Sequence, residues 1–309
     1  MGLLGCGPVG NSPDNGSGGA TGGSGGNPHT TGGTGGSGGS TGTGGSGGGG
    51  QQGCGELQAC YTVYAHSDHV LYHIDLVMKQ LVEIGPFNAP MVPTSNGMMA
   101  EDVITDLAVD IDDQIWVISK TNLYKASSTD GHVTLVGPVT ACGTYAVALT
   151  FTHDGSLYAG DYMGAFCKID ITQTPPRVIP VAQLGQGLAL AGDLVAVQDG
   201  TMFGTAYRTA DASNSGTQTN NLLVKIDPAT GTVSQVMGMT GFPKLFGIAF
   251  SQGQVFGFTH DGSGHVVTID PATGQGTMYA TFNDPSTGRG ISFAGAGVSP
   301  NVPIVGIHR

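Results

Sequence analysis

A pattern of short apolar runs recurs along the chain from Tyr61 onward, and this repeat limits the possible folds more than any other feature. Each run is rich in Val, Ile, Leu, Tyr and Phe and is followed by a turn that contains Gly or Asp. Such runs are typical of β-strands, and no long stretch has the period of an amphipathic helix. The sequence therefore predicts an all-β domain.

One unit of four strands accounts for most of this pattern. Its third strand appears five times, as Leu71–Asp75, Leu123–Ser127, Phe166–Asp170, Val224–Asp227 and Val267–Asp270. The turns between its first and second strands lie at Asp113, Gly155, Gly200 and Gly253, with spacings of 42, 45 and 53 residues. The last spacing is longer because residues 210–220 form a polar insertion. Four strands in about 42 residues predict one blade of a β-propeller.

The two ends of the repeat predict how the propeller closes. The first copy has no inner strand before it, whereas Gly290–Phe293 repeats Gly247–Phe250 with nothing after it. We expect residues 290–298 to supply the inner strand of the first blade, because this pairing removes two open sheet edges. The predicted fold is a propeller of five four-stranded blades, with six blades as the alternative.

Two copies of the repeat continue into the same turn sequence. Residues 227–231 and 270–274 both read Asp-Pro-Ala-Thr-Gly. The repeat resembles that of secreted bacterial propellers in the quinoprotein-like and YVTN-like group, over roughly residues 60–300. The resemblance is to a repeat and not to an active site, and the metal-binding carboxylates and amide of lactonase-type propellers have no match here.

The first 53 residues differ in composition from the rest of the chain. They are dominated by Gly, Ser and Thr and carry one formal charge, at Asp14. Such a sequence buries no apolar core, so we predict a disordered linker over residues 7–53 and a propeller domain over residues 54–309.

The residues before this linker suggest a membrane address. Leu3-Leu4-Gly5-Cys6 resembles the lipobox of bacterial lipoproteins, although only five residues precede Cys6. The resemblance implies that residues 1–6 are the remnant of a signal and lipobox, and that Cys6 is lipidated. It also implies an extracytoplasmic lipoprotein anchored at the cell envelope or surface, and a secreted protein is the alternative.

The other four cysteines, Cys54, Cys60, Cys142 and Cys167, form an even set, which suits disulfides and an oxidising compartment. Three pairings are open on sequence order. In a propeller, Cys142 precedes an inner strand and Cys167 follows a loop on the same face of the same blade. This placement favours Cys142 with Cys167 and Cys54 with Cys60, and four buried free thiols are the alternative.

Charge excludes two classes of partner. The formal net charge is −12, and no Lys/Arg cluster is present. Nucleic acids and anionic membrane surfaces both require an electropositive patch. No apolar run is long enough to span a bilayer, so we expect contact with a membrane only through the lipid anchor.

Two sets of polar residues are candidates for a site. His66, Asp68 and His69, with His260 and His265 in the neighbouring blade, fall in loops on one face, and imidazole with carboxylate is a ligand set for a divalent metal. The competing interpretation is that these are solvated turns. Asp106, Asp193 and Arg289 lie near the starts of inner strands, where they could form a ligand face at the mouth of the channel.

No nucleophile elbow or complete metal motif is present. The sequence therefore favours a non-catalytic binding or scaffold module whose partner is a protein, a glycan or a small molecule. The alternative is a hydrolase or lyase with a metal or acid/base site at the channel mouth. No cofactor is predicted apart from the divalent metal considered above.

Overall fold

The chain divides into two units, residues 1–60 and 61–309. The computed structural model describes residues 61–94, 96–139, 142–213 and 221–304. All of them belong to the second unit, so Cys6, Cys54, Cys60 and the predicted linker lie outside the described residues. No helix among the described residues is long and apolar enough to cross a membrane.

The described part of the chain is built almost entirely from antiparallel strands. In chain order these are β1 (Val63–His66), β2 (Val70–Asp75), β3 (Gln80–Pro86), β4 (Met91–Pro93), β5 (Met99–Glu101), β6 (Ile104–Val109), β7 (Ile115–Ser119), β8 (Asn122–Ala126), β9 (Val133–Pro138), β10 (Ala146–Phe151), β11 (Leu157–Asp161), β12 (Ala165–Asp170), β13 (Arg177–Gln183), β14 (Leu188–Ala196), β15 (Met202–Arg208), β16 (Leu222–Asp227), β17 (Thr232–Met239), β18 (Leu245–Ser251), β19 (Gln254–Thr259), β20 (His265–Ile269), β21 (Gly276–Thr281) and β22 (Gly295–Gly297). A short 3-10 helix, Thr209–Ser213, follows β15.

Five four-stranded sheets form the blades of a propeller. Four of them are consecutive in sequence: β6 to β9, β10 to β13, β14 to β17 and β18 to β21. The fifth has the order β22-β1-β2-β3, so it combines the two ends of the described chain. The prediction of five blades is confirmed, and we number the blades from this composite one, blade 1, to blade 5.

The closing strand is shorter than predicted. β22 pairs with β1 through Tyr64↔Gly297, Ala65↔Ala296 and His66↔Gly295. Gly290 instead bridges Asn283, and the residues between this bridge and β22 place Ile291 and Phe293 in the core. The ring is therefore closed by a C-terminal inner strand, as predicted, but by three residues of the expected nine.

The repeated Asp-Pro-Ala-Thr-Gly sequences form tight turns. Asp227 Oδ1 accepts a hydrogen bond from Ala229 N at 2.9 Å, and Gly231 N donates to Asp227 O at 2.7 Å. Gly231 has φ +66°, and a Cβ there would lie 2.8 Å from Phe166 in the preceding blade. Glycine is required at this position by both its backbone conformation and the close contact between blades.

The hydrophobic core lies between blades rather than inside them. Of four buried clusters, three join neighbouring pairs of blades, and the fourth joins blades 4, 5 and 1. At the axis the inner strands are lined by small residues, because five blades meet closely there. A Cβ on Gly247 of β18 would lie only 2.8 Å from Ala296 N of β22.

The predicted disulfide within blade 3 is confirmed. Cys142 and Cys167 are bonded, with their Cα atoms 5.7 Å apart. The bond attaches the segment entering β10 to β12 of the same sheet, as the propeller placement predicted.

Removing the closing strand should prevent the domain from folding. Deletion of residues 288–309 removes the buried Ile291 and Phe293 and exposes the edge of β1. Burial of two such side chains contributes roughly 3 to 6 kcal/mol, against a total stability of about 5 to 15 kcal/mol. We expect the truncated protein to aggregate or to unfold without a cooperative transition, measured by circular dichroism and size-exclusion chromatography.

A deletion of residues 7–50 is the control, because the composition of that segment predicts no contribution to the core. It should melt within a degree or two of the full chain. A C-terminal truncation that melts like the full chain would contradict the role of β22.

Candidate functional site

One face of the ring carries the loops in which the metal ligands were predicted. It is formed by the connections between second and third strands and by the connections between successive blades, and we call it the upper face. Its described residues are 67–69, 120–121, 162–164, 209–213, 221 and 260–264 between second and third strands, and 87–94, 96–103, 139, 142–145, 184–187, 240–244 and 282–294 between successive blades. The opposite, lower face holds the turns within each hairpin of first and second strands and of third and fourth strands.

The structure places Asp106 and Asp193 together at the axis. Asp106 lies on β6 of blade 2 and Asp193 on β14 of blade 4. Their carboxyls interact with each other and both lie against β22, where a Cβ on Gly295 would lie 2.3 Å from Asp106 Oδ1 and Ala296 N donates to Asp193 Oδ2 at 3.4 Å. Both residues have 0% exposure. The two carboxyls are thus inside the ring and not at the mouth of the channel, where they were predicted.

Main-chain amides from the other inner strands converge on this pair. Asp106 Oδ2 accepts a hydrogen bond from Leu149 N of β10 at 2.5 Å. Asp193 Oδ2 accepts hydrogen bonds from Ile248 N of β18 at 2.7 Å and from Ala296 N of β22 at 3.4 Å. The two carboxyls therefore contact the innermost strands of all five blades.

Burial and mutual repulsion set the protonation of the pair. Burial raises the pKa of Asp106 well above its ordinary value, and the charge of Asp193 raises it further. Burial also raises the pKa of Asp193, although hydrogen bonds from Asp106 and from the amides of Ile248 and Leu194 act in the opposite direction. The pKa of each carboxyl is therefore raised, and the two groups titrate as a pair.

His66 lies beside the pair, at the end of β1. Its Nδ1 is 2.7 Å from Ser67 O, so Nδ1 carries the hydrogen and Nε2 is an acceptor in the neutral ring. Nε2 is buried and has no hydrogen-bond partner, and the same holds for Asp106 Oδ1. A Cβ on Gly295 would lie 2.5 Å from the first atom and 2.3 Å from the second, so both atoms face the backbone of β22.

The imidazole of His66 is kept neutral by its surroundings. Burial lowers the pKa of His66 to about 4, and the positive charge of His260 acts in the same direction. The ring packs edge-on against Phe87, with 5.5 Å between centroids. His66 is thus a buried core histidine with one free acceptor atom.

The other candidate metal ligands share the upper face but are held by separate contacts. His69 is exposed and pairs with Glu101 at 3.3 Å. His260 stacks on Phe246, with 4.6 Å between centroids, and its Nδ1 is 3.1 Å from Phe293 O. Asp68 is half-buried, and His265 begins β20. In residues 61–304, apart from the undescribed gaps, no three His, Cys, Asp or Glu side chains are grouped to hold a metal ion.

Arg289 lies in the connection between β21 and β22. Its side chain is exposed, and no ion pair between described residues joins it to Asp106 or Asp193. The structure therefore brings together two of the three residues predicted for the ligand face.

A group of tyrosines on the upper face was not found from the sequence. Tyr145 and Tyr162 pack edge to face, with 5.7 Å between centroids, and Tyr207 Oη donates to Tyr162 O at 2.7 Å. Lys120 Nζ lies 4.6 Å above the ring of Tyr145. Tyr162 remains 39% exposed and the adjacent Met163 61% exposed.

A single buried carboxylate fixes the backbone beneath these rings. Asp161 Oδ1 accepts hydrogen bonds from Met163 N at 2.9 Å and Ala165 N at 2.7 Å, and its Oδ2 accepts one from Thr144 N at 2.9 Å. The connection that carries Tyr145 and the one that carries Tyr162 and Met163 are therefore held to one side chain. We call Tyr145, Tyr162, Met163 and Tyr207 the tyrosine patch.

The fold and its axis define a five-bladed β-propeller of antiparallel four-stranded sheets. A family model described as a repeat of unknown function, DUF6923, matches residues 111–283. This match covers more than half of the sequence, and the chain belongs to that family. No curated protein matches the chain.

Several solved structures resemble the chain at low sequence identity. The Dos1 propeller is 12% identical, with a TM-score of 0.42, over 72% of this chain and 59% of its own length. A protein of unknown function from Bacteroides caccae is 10% identical, with a TM-score of 0.37, over 70% of this chain and 71% of its own. Glutaminyl cyclase from Myxococcus xanthus is 16% identical, with a TM-score of 0.40, over 65% of this chain and 71% of its own.

Replacement of His66 should change how stability depends on pH in the acid range. Between pH 6.5 and about 4, the unfolded chain binds a proton at His66 and the folded protein does not, so acidification lowers the free energy of unfolding. Relative to His66→Gln, we expect the wild type to lose about 3 kcal/mol over this window. Denaturant unfolding at a series of pH values measures this difference.

His66→Met is the matched control, because methionine does not titrate either. The two variants should differ in absolute stability but show the same pH dependence. Parallel curves for the wild type and both variants would show that His66 is not a buried neutral histidine.

Proposed function

We propose that this protein is an extracytoplasmic binding or scaffold module with no catalytic role, and that it binds a protein partner on its upper face. The proposal rests on one observation, which is that the axial carboxyls are buried and bonded to the inner strands. Asp106 and Asp193 are fully buried and accept hydrogen bonds from the inner strands. A hydrolase or lyase at the channel mouth would need such groups to be accessible to substrate, and these two are used to join blades.

The residues exposed on the upper face favour a protein partner. Tyr, Met and Arg are enriched in protein–protein interfaces, whereas Lys and Glu are depleted. The tyrosine patch presents Tyr162 and Met163, and the hairpin formed by β4 and β5 presents three further exposed methionines, Met91, Met98 and Met99. Met99 pairs with Pro93, and Pro93 lies two residues after Met91 on the same strand. Paired residues and residues two apart share a side of a hairpin, so the side chains of Met91 and Met99 point to the same side.

A photocrosslinking amino acid at position 163 tests the location of this surface in intact cells. We expect an adduct of discrete mass from position 163, because this side chain is exposed beside the tyrosine patch. The same amino acid at position 78, an exposed methionine on the lower face, should give none. Western blotting of the tagged protein after irradiation measures both.

A second substitution shows whether the adduct depends on the patch. Tyr162→Glu places a charge beside Met163 and should abolish the adduct without changing the melting temperature of the purified protein. Equal adducts from positions 163 and 78, or an adduct that survives Tyr162→Glu, would exclude the upper face as the binding surface.

The proposed location outside the cytoplasm is supported by two features. Leu3-Leu4-Gly5-Cys6 resembles a lipobox, and the Cys142–Cys167 disulfide suits an oxidising compartment. In this proposal Cys6 carries the lipid, and the Gly/Ser/Thr-rich segment after it acts as a spacer. About 47 residues of such a chain have a root-mean-square reach of about 35 to 40 Å, which separates the propeller from the membrane surface.

Metabolic labelling with a lipid precursor tests the anchor. The full open reading frame, expressed in its native host, should incorporate label and fractionate with membranes, and Cys6→Ser should abolish both. If Cys6→Ser leaves labelling and fractionation unchanged, the protein has no lipid at this residue.

A further inference from the structure

The axial carboxyls of Asp106 and Asp193 are buried next to each other, and the groups around them do not neutralise their negative charge. Two carboxylates in contact at 0% exposure repel each other and have lost the solvation of water. The groups donated to them by β10, β18 and β22 are neutral main-chain amides. No ion pair between described residues places a lysine or arginine on either carboxyl.

We propose that Asp106 and Asp193 share one proton and act as a pH-dependent latch that holds the five inner strands together and weakens in alkaline solution. In this latch Asp106 is the protonated acid and donates a hydrogen bond to ionised Asp193. The inference concerns the stability of the ring and is independent of the proposed binding function.

The hydrogen bonds around the pair assign the proton to Asp106. Asp193 is already an acceptor for three amides, those of Leu194, Ile248 and Ala296. A carboxylate that accepts several N–H groups is stabilised in its charged form. Asp106 accepts fewer hydrogen bonds, and its Oδ1 has no amide partner. Protonation of Asp106 therefore weakens fewer hydrogen bonds from main-chain amides than protonation of Asp193 would.

Among the residues that the structure describes, the elements packed around the pair contribute one other titratable group. It is His66 at the end of β1, whose pKa is lowered by burial and by the charge of His260 behind it. β22 faces the pair with Gly295 and the amide of Ala296, and β10 and β18 face it with amides. Neutral His66 supplies no positive charge, so a proton is the available means of reducing the negative charge.

The sign of the pH dependence follows from linkage. The raised pKa of Asp106 means that the folded protein binds a proton that the unfolded chain releases above about pH 4. The stabilisation is fully present in acid, and it is lost as pH rises toward the pKa of the folded state. Below pH 6.5 the opposite trend from His66 offsets this loss, so the decline appears in the wild type above pH 6.5.

The test compares melting temperatures from pH 6.5 to pH 10 for the wild type and three variants. In Asp106→Asn the amide replaces the protonated acid and donates to Asp193 at every pH, so we expect the alkaline decline to disappear and the melting temperature above pH 8 to exceed that of the wild type. Asp193→Asn removes acceptor capacity from three amides and should lower the melting temperature at every pH. His66→Gln, also buried, should retain the wild-type decline.

Infrared spectroscopy of the wild type provides a readout that does not require any variant to fold. A protonated carboxyl has a carbonyl band separate from that of carboxylates. We expect this band in the folded protein at neutral pH and its loss at the pH where the decline in melting temperature levels off, because the decline ends when the folded protein also releases the proton. Absence of the band at pH 7, or an Asp106→Asn variant that keeps the alkaline decline, would overturn the proposal.

Discussion

The contact between Asp106 and Asp193 is the interaction on which the arrangement of the blades depends. Hydrophobic clusters join each blade to its neighbours, whereas the carboxyl pair reaches the inner strands of all five blades. The pairing that closes the ring is formed by only three residues of β22. The hydrogen bond from Ala296 N to Asp193 connects this short strand to the rest of the axis.

Close approach at the axis explains both the small residues there and the burial of polar groups. A side chain on Gly295 would collide with Asp106 and His66, and one on Gly297 would lie 2.7 Å from Leu107. Inner strands that meet so closely leave little room for solvent, so any polar group placed there must find its partners in the protein. The axis is therefore a core with a polar centre, and the surface available to partners lies on the faces of the ring.

The features predicted correctly from the sequence depend on local spacing. Blade count, C-terminal closure and the Cys142–Cys167 bond all follow from the repeat register, which strands and turns of regular length preserve. Asp106 and Asp193 were expected near the starts of inner strands, and Asp193 instead lies in the middle of β14. Their burial could not be predicted, because it depends on how closely five inner strands approach, and that distance is a property of the closed ring.

The surface of the upper face was harder to predict, because it is formed by connections that lie outside the regular repeat. The hairpin of β4 and β5 interrupts the repeat, although Asn96-Gly97 between its strands is a known hairpin signal. Tyr145 and Tyr162 come from two separate connections and Tyr207 from the end of β15, and only the closed ring brings them together.

Both departures from the regular repeat, this hairpin and the insertion that begins with the 3-10 helix Thr209–Ser213, fall in upper-face connections. The lower face keeps its short turns. Insertions in exposed loops cost little stability, whereas the axis tolerates no added Cβ at Gly295. A fold with this division can vary the chemistry of its upper face while the carboxyl pair and the inner strands stay unchanged, and for this physical reason we propose recognition on that face.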